Sequence, residues 1–269
     1  MDKCNKFDSR VLRKTVLDMA FAGSTVHIGC AFSIIELLAV LYRKYLRYPG
    51  NSPTSIARDY LVLSKGHGVM AQYACMRELG WLPDKVFSEY FSDGSDLKGL
   101  SDSRIPGLEV TSGSLGHGFS VGVGMAMGAK LSKTDQKTYA IVGDGEINEG
   151  TIWEGALFAS HHQLKNFMVI VDENGFQAMG PTNEVLELGK IYEKFLSFGF
   201  EVVEVDGHDE QAIDESISKL WASELTSPKA LIAKTIKGKG VSFMEHNNAW
   251  HYTRLTNELY QLALKELSI

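Results

Sequence analysis

Thr138-Tyr-Ala-Ile-Val-Gly143-Asp144-Gly145 and Phe167-Met-Val-Ile-Val-Asp172-Glu-Asn174 are two apolar runs, each closed by a turn that carries an oxygen ligand. Short apolar runs bounded by Gly and Asn read as buried strands. A helical stretch over 148–163 separates them. Asp144, just past the first run, offers a charged oxygen, and Asn174, just past the next, a neutral one. Converging on one ion, they suit Mg²⁺ or Ca²⁺, hard cations that take oxygen ligands. Gly143 and Gly145 let the backbone approach a phosphate closely. The pattern predicts a metal-bridged diphosphate at the C-terminal edge of a parallel sheet, where ligands of such sheets bind. Asp, Asn and Gly also favour simple turns, and the spacing by itself leaves both readings open.

Outward from this pair, strands and helices alternate. Helical periodicity covers 8–22, and Ser33–Tyr42 reads as a buried helix with Ser33 as its N-cap. Tyr60–Leu63 is a short strand ending in Ser64-Lys-Gly-His-Gly68, with a helix near 69–79. Residues 92–116, rich in Gly, Ser and Asp, form a long loop of the kind that is usually functional or disordered. A small-residue helix follows at 118–131, then strand 138–143, helix 148–163, strand 167–172, helix 188–197, strand 201–205, helix 209–224, strand 229–236 and helix 254–267. This alternation implies an α/β fold, a doubly wound parallel sheet. Right-handed crossovers place helices on both faces. No linker-like stretch interrupts the chain, so residues 1–269 are expected to form a single domain.

Gly143-Asp-Gly-Glu-Ile-Asn-Glu-Gly-Thr-Ile-Trp-Glu-Gly155, with Asp172-Glu-Asn-Gly175, resembles the thiamine diphosphate motif of the transketolase family, and specifically the N-terminal subunit of a split transketolase. The resemblance runs from the first helix to about Trp250-His251. It implies the diphosphate-binding domain of the thiamine diphosphate-binding fold. Asp144, Asn174 and the backbone carbonyl of Phe176 would be the protein ligands of the metal. His67, Gly113, Ser114, Leu115, Gly145, Glu149, Asn174 and His251 would contact the cofactor.

The same resemblance gives catalytic roles to His27, His67 and His251, which would position substrate oxygens and move protons. Glu149 and Glu154 would meet a partner subunit near the aminopyrimidine ring. Lys237-Gly-Lys-Gly240 is similar to a mobile loop over the active site; it lacks P-loop spacing. Gly122-Val-Gly-Met-Ala-Met-Gly128 imitates a dinucleotide fingerprint, but it follows no strand and its glycines are wrongly spaced.

The pattern departs from the family in the long loop, and at His27, where Ser24-Thr-Val-His-Ile-Gly29 resembles the family's Ser-Gly-His-Pro-Gly with an extra residue and Ile for Pro. Transketolases carry Gly-His-Pro shortly before Pro-Gly-x-Glu, whereas here Lys98-Gly-Leu-Ser101 precedes Pro106-Gly-Leu-Glu109. Leu100 therefore stands where a donor-contacting histidine is expected. A sugar oxygen facing leucine would be unpaired, at about 1–3 kcal/mol. An unusual donor, or compensation by Ser101, Ser103 or Arg104, would resolve this. A whole transketolase is also much longer, and its other half holds the aminopyrimidine. A separate C-terminal subunit is therefore expected as partner, with two copies of each chain and cofactors at the interfaces. The implied reaction transfers a two-carbon ketol unit from a ketose, sugar or sugar phosphate, to an aldose. Rival readings are a thiamine diphosphate enzyme half acting on 2-oxo acids or forming acyloins, and a catalytically silent scaffold.

Bulk properties set outer bounds. The chain is 44% hydrophobic and 22% charged, with a net charge of -6. An acidic balance argues against a general nucleic-acid or membrane surface. No apolar run nears the roughly 20 residues that span a bilayer. The Met-Asp-Lys-Cys-Asn-Lys start has no signal-peptide h-region, and a cytoplasmic protein is expected. Cys4, Cys30 and Cys75 lack metal-site spacing and read as reduced thiols, the last two buried.

Overall fold

The computed structural model describes residues 6–268. In chain order its elements are α1 (Ser9–Ala22), α2 (Ile28–Phe32), α3 (Ile35–Val40), β1 (Tyr60–Leu63), α4 (Val69–Glu78), α5 (Asp84–Ser88), α6 (His117–Leu131) and β2 (Thr138–Gly143). There follow α7 (Gly150–His161), β3 (Phe167–Glu173), α8 (Thr182–Val185), α9 (Ile191–Ser197), β4 (Glu201–Asp206), α10 (Glu210–Ala222), β5 (Lys229–Lys234) and α11 (Asn257–Glu266). The strands form one parallel sheet in the order β1-β2-β3-β5-β4. The near-continuous apolar runs of β2 and β3 suit strands covered on both faces.

Alternate residues divide the core. Leu61, Tyr139, Ile141, Ile170 and Leu231 pack with α1, α3, α4 and α10 on one face. Val62, Ala140, Val142, Val171 and Ile232 pack with α6, α7 and α9 on the other. The reversal between β4 and β5 explains where α10 lies. With every crossover right-handed, a step taken in the opposite direction along the sheet must place its helix on the opposite face. The chain leaving β1 enters α4 on the first face, whereas the chain leaving β2 enters α7 on the second. Such a divergence opens a crevice beyond the carboxyl ends of two strands.

The expected small-residue helix is α6. A Cβ on Gly118 would come within 2.7 Å of the Ser64 backbone, and a Cβ on Gly122 would touch Phe167 and Ala140. The expected start of the second helix fails. The turn begins at Ile28, and Ser33 closes α2 rather than capping a helix. Its hydroxyl instead donates to the Cys30 carbonyl and to Asp172. The helix expected at 188–197 begins at Ile191, and the strand expected over 229–236 ends at Lys234. Cys30 and Cys75 are buried free thiols, and Cys4 lies outside the described residues.

One buried charge cluster clamps the first face. Arg13 on α1 grips Glu36 on α3 through two bonds of 2.6 and 2.9 Å, and Arg13 Nε donates to the Lys239 carbonyl. His208 Nε2 accepts from the Ile236 amide, so Nδ1 carries the proton and donates to Glu36 at 3.0 Å. Burial pushes the Glu36 carboxyl up, but hydrogen bonds from His208 and Arg13 outweigh it and hold it at about 2. Its folded value lies below its ordinary 4.5, so this stabilisation is present above that pH and is lost as pH falls through about 2. Glu36→Ala leaves Arg13 buried without its counter-charge, and urea unfolding at pH 7 should show a loss of about 3–5 kcal/mol.

Candidate active site

A cavity of about 290 Å³ sits at the carboxyl ends of β1, β2 and β3. In register, Gly143 pairs with Asp172, which brings the turn after β2 beside the turn after β3. Asp144 is buried, with its carboxylate accepting from the amides of Gly145 at 2.8 Å and Gly175 at 2.6 Å. Burial, with Asp172 close by, pushes the Asp144 carboxyl up to about 7. It is a buried acid that no Lys or Arg among the described residues pairs with directly, the arrangement expected where a cation belongs.

Asn174 is oriented by its neighbours. Its Nδ2 donates to Asp172 at 2.8 Å, and its Oδ1 accepts the Phe176 amide at 3.1 Å. The site therefore presents one carboxylate, one amide oxygen and the Phe176 backbone. Among the described residues no group of three His, Cys, Asp or Glu could hold a metal unaided. A cation here must draw further oxygens from what it binds with, as Mg²⁺ does with substrate phosphates. Two more observations fit an anion. Gln177 lines the cavity with a buried Nε2 donor that has no partner. Gly145 packs so tightly that a Cβ would come within 2.8 Å of Gln177. The residues present fit a metal–diphosphate.

Beneath this edge lies a network that sequence reasoning missed. Asp172, fully buried, accepts from Lys65, Ser33, Thr235 and Asn174. Lys65 also donates to the Cys30 carbonyl at 2.9 Å. Burial disfavours both charges, but each holds the other ionised: Lys65 is raised and Asp172 lowered. Glu146 is equally hidden, accepting from Ser64, from the Gly116 amide at 2.8 Å and from the Gly143 amide at 3.1 Å. It ties the glycine turn before α6 to the one after β2.

Three imidazoles line the same cavity as Asp144. The His27 ring centre lies 5.4 Å from His67 and 5.3 Å from His251, and His67 lies 5.6 Å from His251. His67 follows β1, His27 caps α2 with φ 68°, and His251 ends a short turn over 248–251. Burial lowers all three, aided by Lys65 for His67 and by Lys237 for His27 and His251; His251 falls to about 3. All are therefore neutral at pH 7, each able to donate one N–H and accept at the other nitrogen. The Lys237 ammonium donates to His251 Nδ1 at 2.9 Å, leaving the His251 proton on Nε2. Lys237 is buried and turned inward, and the Gly238 amide donates to the Gly29 carbonyl, so this stretch is docked on α2. Cys30 Sγ lies 3.5 Å from the same Nδ1, but burial pushes its thiol up, which makes it a poor nucleophile.

Of the other expected residues, Gly113, Leu115, Gly145 and Phe176 line the cavity. Ser114, Glu149 and Glu154 do not; all three are exposed outside it. Glu149 precedes α7 and Glu154 lies on it, so both face outward where another chain could reach them. Leu100 lines the cavity and packs beside Gly113. Its expected substitutes do not join it: Arg104 is held by Asp102, Ser103 pairs with Thr111, and Ser101 lies buried away from the cavity.

A family model described as transketolase, thiamine diphosphate binding domain, matches residues 8–267. An apulose-4-phosphate transketolase subunit from Phocaeicola vulgatus is 38% identical over 256 residues, covering 95% of this chain and 91% of that protein. The 6-deoxy-6-sulfo-D-fructose transketolase subunit SqwG of a Clostridium species is 36% identical over 260 residues, covering 96% and 94%. Transketolase from Campylobacter jejuni superposes with a TM-score of 0.90 at 28% identity, over 97% of this chain but 42% of that one.

Proposed function

Because this chain belongs to the transketolase family, as its thiamine diphosphate-binding half, we propose that it acts with a separate C-terminal subunit to transfer a two-carbon ketol unit from a ketose to an aldose. The observation that carries the reading is the buried Asp144, paired with no Lys or Arg among the described residues, beside Asn174 in one cavity with three neutral imidazoles. Asp144, Asn174 and the Phe176 carbonyl would hold Mg²⁺ or Ca²⁺, with Gly113, Leu115, Gly145 and Gln177 around the diphosphate. Ser114, exposed at the same turn, would contact the cofactor through its backbone. Bound thiamine diphosphate supplies the electron sink that cleaving a carbon–carbon bond next to a carbonyl requires. His27, His67 and His251 would then orient hydroxyls and hold or move protons, as neutral imidazoles can.

The partner reading rests on several features. Both relatives described above, each covered over more than nine-tenths of its length, are named as subunits. Glu149 and Glu154 stand outside the cavity, available to a second chain near the aminopyrimidine. Val121, Leu157 and Phe158 on α6 and α7 are exposed, and Gly124 and Gly128 have open space above them. An assembly of two copies of each chain suits this face, and we place it in the cytoplasm. The relatives' named substrates, apulose-4-phosphate and 6-deoxy-6-sulfo-D-fructose, have different skeletons but each carries an anionic group. A ketose with an anionic end is the substrate class we assign.

The test combines this chain with the C-terminal half of a split transketolase and screens ketoses against 2-oxo acids. Ketol transfer that needs both chains, thiamine diphosphate and Mg²⁺ is the expected result. Turnover of ketoses by this chain alone would overturn the half-enzyme reading, and turnover only of 2-oxo acids would overturn the transketolase one. Within the active complex, Leu100→His should change the ratio of kcat/KM between donors by about 10-fold or more, because it adds a hydrogen-bond donor beside the ketol end. Unchanged donor preference would remove Leu100 from the specificity determinants.

A further inference from the structure

Lys237 reaches His251 from a stretch over 235–247, between β5 and the short turn over 248–251. The stretch folds back on itself through Gly238 and Gly240, whose φ angles of 82° and 95° lie in the left-handed region that favours glycine. The His246 amide donates to the Lys237 carbonyl at 3.2 Å, and the Gly240 amide to Glu245 at 2.9 Å. Those bonds lie inside the stretch and would travel with it. Over 236–239, three backbone bonds tie it to other elements. The Ile236 amide donates to His208 Nε2 at 2.8 Å, the Gly238 amide donates to the Gly29 carbonyl at 3.1 Å, and the Lys239 carbonyl accepts from Arg13 Nε at 2.8 Å. Two of the three lead to one carboxylate: Glu36 accepts from His208 Nδ1 at 3.0 Å and from Arg13 at 2.6 and 2.9 Å. A single buried side chain therefore holds the backbone on both sides of Lys237. None of Arg13, Glu36 and His208 lines the catalytic cavity.

Which nitrogen of a neutral histidine carries the proton is set by the bond that the other one makes. Glu36 takes the Nδ1 proton of His208, which leaves Nε2 bare to accept from Ile236. The same logic repeats inside the cavity, where Lys237 occupies His251 Nδ1 and leaves the proton on Nε2. We propose that His208 is a positioning residue for His251. Oriented by Glu36, it anchors the backbone beside Lys237, keeps the Lys237 ammonium on His251 Nδ1, and so holds His251 in the tautomer with its proton on Nε2. The consequence for turnover rests on the transketolase reading; the consequence for the tautomer does not. Loss of His208 leaves the Ile236 amide without its acceptor and frees one side of the turn that carries Lys237. His251 then divides between two tautomers, and only the fraction protonated on Nε2 can donate a hydrogen bond from that atom.

The experiment reads the His251 tautomer directly. The full chain, with isotopically labelled histidine nitrogens, is studied by NMR at pH 7, and His251→Gln identifies the His251 signals. In the wild type the proton should sit on Nε2 alone. His208→Leu removes both bonds of the imidazole yet leaves Arg13 paired with Glu36, and His251 should then divide between its tautomers. His208→Gln, whose amide can donate to Glu36 and accept from Ile236, should restore the single tautomer. In the thiamine diphosphate-loaded complex with the C-terminal subunit, His208→Leu should lower kcat by about 10- to 100-fold with KM and cofactor affinity little changed, and His208→Gln should recover it. Should the leucine variant not fold, His208→Asn, whose shorter amide cannot span both partners, is read in its place. An undivided His251 tautomer in that variant, or a divided one with kcat unchanged, overturns the positioning role. Ketol transfer by the wild-type complex is scored separately. Its absence, with the tautomer divided in His208→Leu and restored in His208→Gln, would sink the transketolase reading and leave the positioning of His251 standing.

Discussion

Replacing Asp144 with alanine should abolish Mg²⁺-dependent binding of thiamine diphosphate while leaving the fold intact. Removing even an outer-shell partner of a metal ligand typically costs about 10–100-fold in metal affinity, so loss of the one charged ligand should exceed about 100-fold. Isothermal titration of cofactor at fixed Mg²⁺ measures it, and retained affinity at ordinary Mg²⁺ would sink the ligand assignment. Stability should move the other way. The Asp144 carboxyl is pushed up to about 7 in the folded chain, above its ordinary 3.8. Between those values the unfolded chain releases its proton first, so without metal the wild type loses stability as pH rises through that window. At pH 8 that destabilisation is complete, and Asp144→Ala removes it. The metal-free variant should therefore melt no lower than the metal-free wild type at pH 8, and higher relative to it than at pH 4.

This opposition between binding and stability shows why part of the site was legible in the sequence. Asp144 and Asn174 end continuous apolar runs, and parallel strands buried on both faces have that appearance. The register pairing Gly143 with Asp172 then brings the two turns together, as their positions predict. Gly66 beside His67 and Gly118 in the first turn of α6 mark close backbone approaches, and the structure shows them at Ser112 and Ser64. Residues whose work is done inside the core carried no such mark. Asp172 closes a strand as any polar residue might, and Lys65 looks like a surface lysine close to a histidine. Ser33 imitates an N-cap because a serine ahead of an apolar run is the usual signature, yet its hydroxyl serves Asp172 across the sheet. Their partners lie far away in sequence, and periodicity carries no information about such pairs.

Lys65→Met should be as damaging to the fold as Asp144→Ala is to binding. It leaves Asp172 fully buried and ionised, with hydrogen bonds from Ser33, Thr235 and Asn174 but no counter-charge. Breaking a buried pair from one side typically costs about 3–5 kcal/mol, read here as a lower urea midpoint. The cofactor site should suffer too, because Asn174 is aimed by its bond to Asp172. Adding Asp172→Asn to Lys65→Met separates the two effects. The double variant buries no uncompensated charge at this place, so it should recover much of the lost stability. Its neutral amide cannot anchor Asn174 as a carboxylate does, so affinity for Mg²⁺ and thiamine diphosphate should stay depressed by about 10–100-fold. Recovery of both together would mean that the pair serves the fold alone. Recovery of stability without affinity would mean that the buried charge is what aims the metal's amide ligand, and that the edge of the sheet and the chemistry above it are held by the same four hydrogen bonds to Asp172.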